Sequence, residues 1–100
     1  MSTFTIKRGD TAPALRFALI PEIIDLTGAS VVFNLRGVLD RAPADIVAAL
    51  PPVVEYQWQP GDTQSAGLYP AEFEVTYSDG RIETFPSANN LVVQIVPDLG

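Results

Sequence analysis

Residues 61–85, GDTQSAGLYPAEFEVTYSDGRIETF, decide the fold of this chain. From position 69 to 77 every second side chain is apolar or aromatic, and the positions between them are mostly polar; the first set is Tyr69, Ala71, Phe73, Val75 and Tyr77. Because successive side chains of a strand point to opposite faces, this pattern predicts a long strand with one buried face. Asp79-Gly80 follows, and an Asp-Gly pair between alternating runs indicates a tight hairpin. The chain is therefore expected to return as a second strand through residues 82–85.

The rest of the chain repeats this pattern in shorter segments. Alternating apolar positions predict further strands at residues 3–8, 15–20, 29–36, 53–59 and 91–96. Between residues 37 and 52 periodicity does not separate one or two helical turns from a strand, and a short strand at 46–49 is the favoured interpretation. Seven to eight short strands, with turn residues about every 8–12 positions, are typical of an antiparallel sandwich or barrel.

Four positions favour a sandwich of the immunoglobulin type. That fold places a tyrosine near the start of a late strand, two residues before an inward cysteine, and the tyrosine hydroxyl bonds to upstream backbone. Asp62, Gly67, Tyr69 and Ala71 are similar to this corner, with alanine where cysteine would stand. Trp58 resembles the tryptophan that packs beside the disulfide in such domains. The predicted fold is an all-β, immunoglobulin-like antiparallel β-sandwich with no disulfide.

The composition limits the function classes. One hundred residues, of which 47% are hydrophobic and 18% charged, suit a single packed domain spanning residues 1–100. A net charge of −6, with only six scattered cations, argues against a nucleic-acid partner. No apolar run approaches the ~20 residues that cross a bilayer, and the first residues lack the apolar core of a signal peptide. We therefore expect no membrane insertion and synthesis in the cytoplasm.

Cysteine and histidine are both absent from the chain. Their absence excludes a disulfide framework, thiolate or imidazole metal ligation, and nucleophilic triads built on either residue. Thr11, Thr63 and Ser65 are hydroxyls without a histidine base, and a Ser-Lys dyad would require Lys7 beside one of them. We therefore predict a non-enzymatic protein with no catalytic residues, no metal and no cofactor.

Carboxylates and aromatic rings are the remaining candidates for a site. Glu72 and Glu74 share one face of the central strand, about 7 Å apart, which falls within the ~5–9.5 Å of glycosidase pairs. A solvated strand face is preferred, because no other part of a sugar-cleaving site is recognisable. Four turn aspartates could supply calcium ligands, although turn capping is preferred; they are Asp10, Asp25, Asp62 and Asp79. Four aromatic residues could stack on sugars, although their phase places them in the core; they are Tyr56, Trp58, Tyr69 and Tyr77.

The order of short motifs along nearly the whole chain is similar to one family. The motifs are KRGDT at 7–11, DLTGASV at 25–31, YQWQPGDT at 56–63, GLYPAEFEVTY at 67–77, Asp79-Gly80 and Phe85-Pro86. In this order they resemble the immunoglobulin-like domain of phage baseplate upper proteins. The resemblance implies a structural component of a phage virion, a tail or baseplate docking module that binds other virion proteins. It also implies localisation in the virion after synthesis in the host cytoplasm.

Two other functions stay open beside this expectation. A capsid decoration protein could have the same fold with different neighbours, because a fold does not fix function. A glycan or host-surface binding module would need an exposed aromatic platform. The expected partners are other phage structural proteins, and a homo-oligomer in the assembled particle is a further option.

Docking surfaces are predicted on the outside of the sandwich. Outward apolar positions could form patches that partners cover, such as Leu68, Pro70, Val92 and Val96. Edge strands at residues 3–8 or 91–96 are the other candidates, because unpaired backbone groups invite the addition of a strand. The binding residues themselves are left unassigned.

Overall fold

The strands of the computed structural model follow the alternation of the sequence, and the structure describes residues 2–99. Within that range the chain forms nine strands: β1 (Ser2–Lys7), β2 (Leu15–Ala18), β3 (Ser30–Leu35), β4 (Leu39–Pro43), β5 (Asp45–Ala48), β6 (Val53–Tyr56), β7 (Gly67–Thr76), β8 (Ile82–Phe85) and β9 (Leu91–Val96). They pack as two sheets, which confirms the all-β, immunoglobulin-like sandwich.

The central stretch of the sequence is the centre of the larger sheet. That sheet has the order β1-β9-β7-β3-β4, with β8 also paired to β7, and the smaller sheet has the order β2-β6-β5. β7 runs antiparallel to β3 on one side and to β9 and β8 in turn on the other. In the smaller sheet, the order β2-β6-β5 corresponds to the strand order B-E-D of an immunoglobulin domain. In the larger sheet, the order β3-β7-β9 corresponds to its strand order C-F-G.

The predicted hairpin and its inward wall are confirmed. Ala71, Phe73 and Val75 are buried. The turn after β7 closes through Gly80 N–H donating to the Tyr77 carbonyl at 2.9 Å. Residues 46–49, where a short strand was favoured over helix, lie largely in β5.

Three details of the predicted sandwich are wrong. β1 pairs parallel with β9, so the sheet is mixed and not wholly antiparallel. β9 lies between β1 and β7, so residues 91–96 do not form an edge. The count of seven to eight strands omits β4, because Asp40, Arg41 and Pro43 break the alternation there. Arg41 has a left-handed backbone conformation (φ 54°), and the register between β3 and β4 shifts at this point.

Aromatic rings fill the space between the two sheets. The ring of Phe33 on β3 stacks on Tyr56 at 4.7 Å between centroids, tilts against Phe73 at 4.9 Å and meets the edge of Trp58 at 5.9 Å. Phe17 of β2 stacks on Phe73 at 6.0 Å, which adds a contact between the sheets. Buried rings of this kind stabilise by their apolar area and by about 0.5–1.5 kcal/mol per pair beyond it.

The predicted tyrosine corner is present, but the predicted tryptophan position is not. The Tyr69 hydroxyl donates to the Ser65 carbonyl at 2.7 Å, which pins the start of β7 to the upstream loop. Trp58 follows β6 in the smaller sheet, whereas the immunoglobulin tryptophan lies on strand C. Phe33, on the strand equivalent to C, occupies that central place.

The two Gly-Asp-Thr turns of the sequence meet in space. The Gly9 N–H donates to the Thr63 carbonyl at 3.0 Å, and the buried Thr63 hydroxyl donates to the Asp10 carbonyl at 2.8 Å. In the second turn, the Asp62 carboxylate accepts hydrogen bonds from the Tyr56 hydroxyl at 2.5 Å and the Gln59 N–H at 2.8 Å. These contacts tie both turns to the end of the core.

Truncation of Phe33 should destabilise the domain more than any loop substitution. Phe33→Ala removes a fully buried ring that contacts three other rings, and large-to-small changes of this kind cost about 3–5 kcal/mol. Urea denaturation followed by tryptophan fluorescence measures the loss. Ile20→Ala is the matched control, because Ile20 is 76% exposed and should change the unfolding free energy by less than about 0.5 kcal/mol. Equal losses for the two variants would contradict this packing.

The Tyr56–Asp62 contact should make stability depend on alkaline pH. Burial first, and then the hydrogen bond to the Asp62 carboxylate, raise the pKa of the Tyr56 phenol above its ordinary value of 10.0. The folded state therefore favours the neutral phenol. Its contribution is complete below the unfolded pKa of about 10 and is lost as the pH rises further. The difference in unfolding free energy between the wild-type protein and Tyr56→Phe should shrink above about pH 10. A difference that stays constant from pH 8 to 12 would contradict the interpretation.

Candidate functional site

The outer face of the larger sheet has an uncharged half. Of the outward side chains of β1, β9 and the first half of β7, only Lys7 is charged, and it lies at the end of β1 opposite Val96. This uncharged patch consists of Thr3, Thr5, Leu68, Pro70, Val92, Gln94 and Val96. Leu68 is 67% exposed and lies opposite Gln94, which in turn lies opposite Thr5. The patch is therefore continuous across three strands.

The other half of the same face holds a groove of about 590 Å³. Its floor is formed by outward residues of β3 and β7, including Asn34 and Glu72. One wall is the β3–β4 hairpin from Arg36 to Arg41, and the other is the loop between β8 and β9. The two walls make this part of the sheet face concave, and most of the lining side chains are polar or charged.

The second wall results from an interruption in the strand that pairs with β7. Phe85 pairs with Phe73 and Leu91 pairs with Ala71, so the chain uses six residues where β7 uses two. The surplus residues cannot lie in the ladder and stand out from it as the loop. Pro86, Asn89 and Asn90 of this loop line the groove.

The first wall is held by a strained residue. Arg41 adopts the left-handed conformation, which is uncommon outside glycine and costs about 1–3 kcal/mol. The Asn34 side-chain oxygen accepts the Arg41 N–H at 2.7 Å, and the Arg41 guanidinium pairs with the Glu74 carboxylate across β3. Side-chain contacts thus fix this segment in a conformation that its backbone alone disfavours.

Several polar groups of the groove have no intramolecular partner. Among residues 2–99, the side chains of Arg36, Glu72, Asn89 and Asn90 make no hydrogen bond or ion pair. Glu72 and Glu74, the two carboxylates singled out by their spacing, therefore differ: Glu74 is half-buried and paired with Arg41, whereas Glu72 is exposed and free. The sequence identified both carboxylates but not the walls around them.

Three of the four turn aspartates act as caps, as predicted, whereas the Asp10 carboxylate accepts no hydrogen bond among residues 2–99. Asp25 accepts the Thr27 N–H at 2.9 Å, Asp79 accepts the Arg81 N–H at 3.0 Å, and Asp62 bonds within its own turn. These bonds, with the neighbouring side chains, hold the pKa of Asp25 and Asp79 below the ordinary value. Within the described range no three Asp or Glu side chains come close enough to hold a metal ion.

The aromatic residues do not form a sugar platform. Tyr56 and Trp58 are buried, and Tyr69 and Tyr77 are half-buried with their hydroxyls bonded to Ser65 and Glu83. Their inward phase in the sequence is confirmed. These four rings are therefore not exposed as a platform on which a sugar could stack.

One end of the sandwich exposes apolar side chains that the periodicity did not single out. Ile20 and Ile23 in the loop after β2 are 76% and 83% exposed, and Leu50 before β6 is 58% exposed.

In the described part of the chain, no helix is long and apolar enough to span a membrane.

Comparison with known proteins gives the fold and no family. No family model matches the chain, and no curated protein matches it. Among solved structures, CopC from Methylosinus trichosporium OB3b is similar over 100% of this chain and 89% of its own length, with a TM-score of 0.57 and 14% identity. At this identity the likeness shows the β-sandwich alone, since one fold supports many functions.

The resemblance to phage baseplate upper proteins is wrong. No family model supports it, and the similar structure is that of CopC. The physical reason lies in the motifs: GLYPAEFEVTY contains the tyrosine corner and the inward wall of β7, and Asp79-Gly80 is the hairpin turn. Features of this kind recur in immunoglobulin-type sandwiches, so their order reports the fold.

Loss of the Asn34 side chain should loosen the first wall of the groove. Asn34→Ala leaves the Arg41 N–H without its acceptor, and we expect a cost of about 0.5–1.5 kcal/mol in unfolding free energy. Amide hydrogen exchange of residues 36–41 should increase at the same time. In the Asn34→Ala background, Arg41→Gly should recover part of the loss, because glycine adopts the left-handed conformation freely. Asn89→Ala, which removes an unpartnered amide, is the control and should be neutral. No change in exchange for Asn34→Ala would contradict the role of this bond.

Proposed function

We propose that this domain is a non-enzymatic docking module that binds another protein through the uncharged patch and the adjoining edge strand β1. The observation that carries the proposal is a group of seven adjoining outward side chains without a charge, bounded by Lys7 at the end of β1, on a chain in which 18% of residues are charged. Depletion of charge at the centre is the feature that distinguishes interface cores from the rest of a protein surface. Contiguous exposed apolar area of this kind commonly marks an interaction site.

β1 is the strand edge best suited to accept a partner strand. It has six residues, no proline and a single charge at its end, Lys7. The other edges are protected: β4 contains Pro43 and the left-handed Arg41, β5 has a register shift, and β2 and β8 have four residues each. Short, bulged or proline-containing edges resist strand addition. A partner strand at β1 would extend the patch, because Thr3 and Thr5 already belong to it.

Charge favours a partner that differs from this chain. Each copy has a net charge of −6, so two copies repel one another at low ionic strength. A protein with a flat apolar surface and a basic rim would instead gain from electrostatic attraction during association. The occupant we propose is therefore a second protein of that chemistry.

The local chemistry supports binding without catalysis. The groove is open to solvent, and the carboxylate that lies deeper in it, Glu74, is neutralised by Arg41. The Thr63 hydroxyl is buried and bonded to backbone, so it is not available as a nucleophile. A virion as the setting, with tail, baseplate or capsid neighbours, stays a prediction that rested on the resemblance.

Site-specific photo-crosslinking in the native cells tests the proposed interface. A benzophenone amino acid placed at position 68 or 3, both in the patch, should give an adduct with one and the same protein. The matched control is position 47, because Val47 is also an exposed strand residue but lies on β5 of the smaller sheet. Adducts at position 47 alone, or none at positions 68 and 3, would contradict the proposal.

The protein identified in the adduct then allows a quantitative measurement. Leu68→Glu should weaken its binding by about 30-fold, as expected for a charge introduced at an interface core. Val47→Glu should leave the affinity unchanged. Thermal unfolding of both variants shows whether the fold is intact.

A further inference from the structure

We propose that the groove beside the patch is a binding site for a neutral polyhydroxylated ligand of the saccharide class. This site is distinct from the docking surface, because its polar residues lie on the other half of the sheet face and the two share only Pro70, at their border. Its volume of about 590 Å³ falls within the ~300–1,000 Å³ of small-molecule sites.

The shape of the groove is built by features that the sandwich does not require. A continuous strand opposite β7 would leave the sheet face flat, whereas the loop carrying Asn89 and Asn90 raises a wall beside it. The opposite wall depends on Arg41, which Asn34 and Glu74 hold in a left-handed conformation. Strained residues of this kind concentrate at functional sites.

Unpaired groups of opposite charge select the chemistry of the ligand. Arg36 offers donors only, and the Glu72 carboxylate offers acceptors only. Neither is engaged by another side chain within residues 2–99. A hydroxyl group both donates and accepts a hydrogen bond, so a polyol satisfies both side chains at once. The amides of Asn89 and Asn90 also donate and accept, which suits the same ligand.

The groove also contains apolar surface for the carbon skeleton of such a ligand. Pro70, Pro86 and Leu91 line it beside the polar groups. In the described residues the lining includes no aromatic ring, so binding rests on hydrogen bonds and not on stacking. We therefore expect affinities in the millimolar range for single sugar units.

Other ligand classes fit the groove less well. An extended peptide would find no sheet edge to join, because β3 and β7 are both interior strands of the larger sheet. A strongly charged ligand would meet both signs, since Arg36 and Arg41 face Asp40, Glu72 and Glu74. A zwitterion such as a free amino acid is the competing small ligand, and the experiment separates it from a saccharide.

Protein-observed NMR on the uniformly ¹⁵N-labelled full chain tests the proposal. The probes are D-glucose, D-galactose, N-acetyl-D-glucosamine and maltose, with glycine as the zwitterionic probe. At least one saccharide should cause saturable shifts in the side-chain amide signals of Asn89 and Asn90 and in the Arg36 Nε–H signal. Signals of the patch, such as the Gln94 side-chain amide, should not move.

Substitution in the groove should weaken that binding. Glu72→Ala removes a charged acceptor and should weaken the binding of the same saccharide by about tenfold. Glu22→Ala is the matched control, because Glu22 is an exposed carboxylate in the loop after β2, outside the groove. If Glu72→Ala perturbs the fold, Asn90→Ala measures the same loss from the other wall.

Three outcomes would overturn the proposal. The first is that no saccharide shifts the groove signals, and the second is that glycine alone shifts them. The third is that the Glu72 and Asn90 variants bind as well as the Glu22 control. None of these outcomes bears on docking through the patch, which the crosslinking experiment tests separately.

Discussion

The contacts of Phe33 with three other aromatic rings hold the two sheets of this domain together. No disulfide joins the sheets, because the chain has no cysteine. The ring of Phe33 touches Tyr56 and Trp58 from the smaller-sheet side and Phe73 from its own sheet. The buried Trp58 indole N–H has no acceptor among residues 2–99, and leaving such a group unsatisfied costs about 1–3 kcal/mol. The apolar contacts of the Trp58 ring must therefore outweigh the cost of its unsatisfied N–H.

Because the core is closed by inward side chains alone, the outward side chains of the same strands are free to vary. β7 shows this division within ten residues: Phe73 and Val75 pack inward, while Leu68 and Glu72 face outward in the patch and the groove. A substitution of an outward side chain of β7 need not disturb the aromatic cluster between the sheets. Binding surfaces can thus be placed on this sheet at little cost in stability, which agrees with the use of one sandwich fold for many functions.

Local patterns in the sequence predict three features correctly: alternation predicts the inward wall of β7, the immunoglobulin-type spacing of Tyr69 and Ala71 predicts the corner, and Asp79-Gly80 predicts the hairpin. These features are local, since each depends on residues a few positions apart. The order of strands was less accessible, because a period of two says which face is buried and not which strand lies alongside. The sequence therefore predicts an edge at residues 3–8 or 91–96 without choosing between them, and in the structure β1 covers β9. The groove could not be predicted from the sequence, because the left-handed Arg41 and the interrupted ladder after Phe85 leave no periodic signal.

The wrong family resemblance follows from the same physics. A strand of this fold that starts at a tyrosine corner and returns through a tight hairpin uses residues of these types. In this chain they are Tyr69, Ala71 and the Asp79-Gly80 turn. They are thus expected in proteins that share the fold and nothing else. CopC, similar over this whole chain at 14% identity, shows the fold alone. Residues that the fold does not need are more informative about function. Leu68 is exposed without stabilising the core, and Glu72 is charged without an internal partner, so both side chains are available for an external contact.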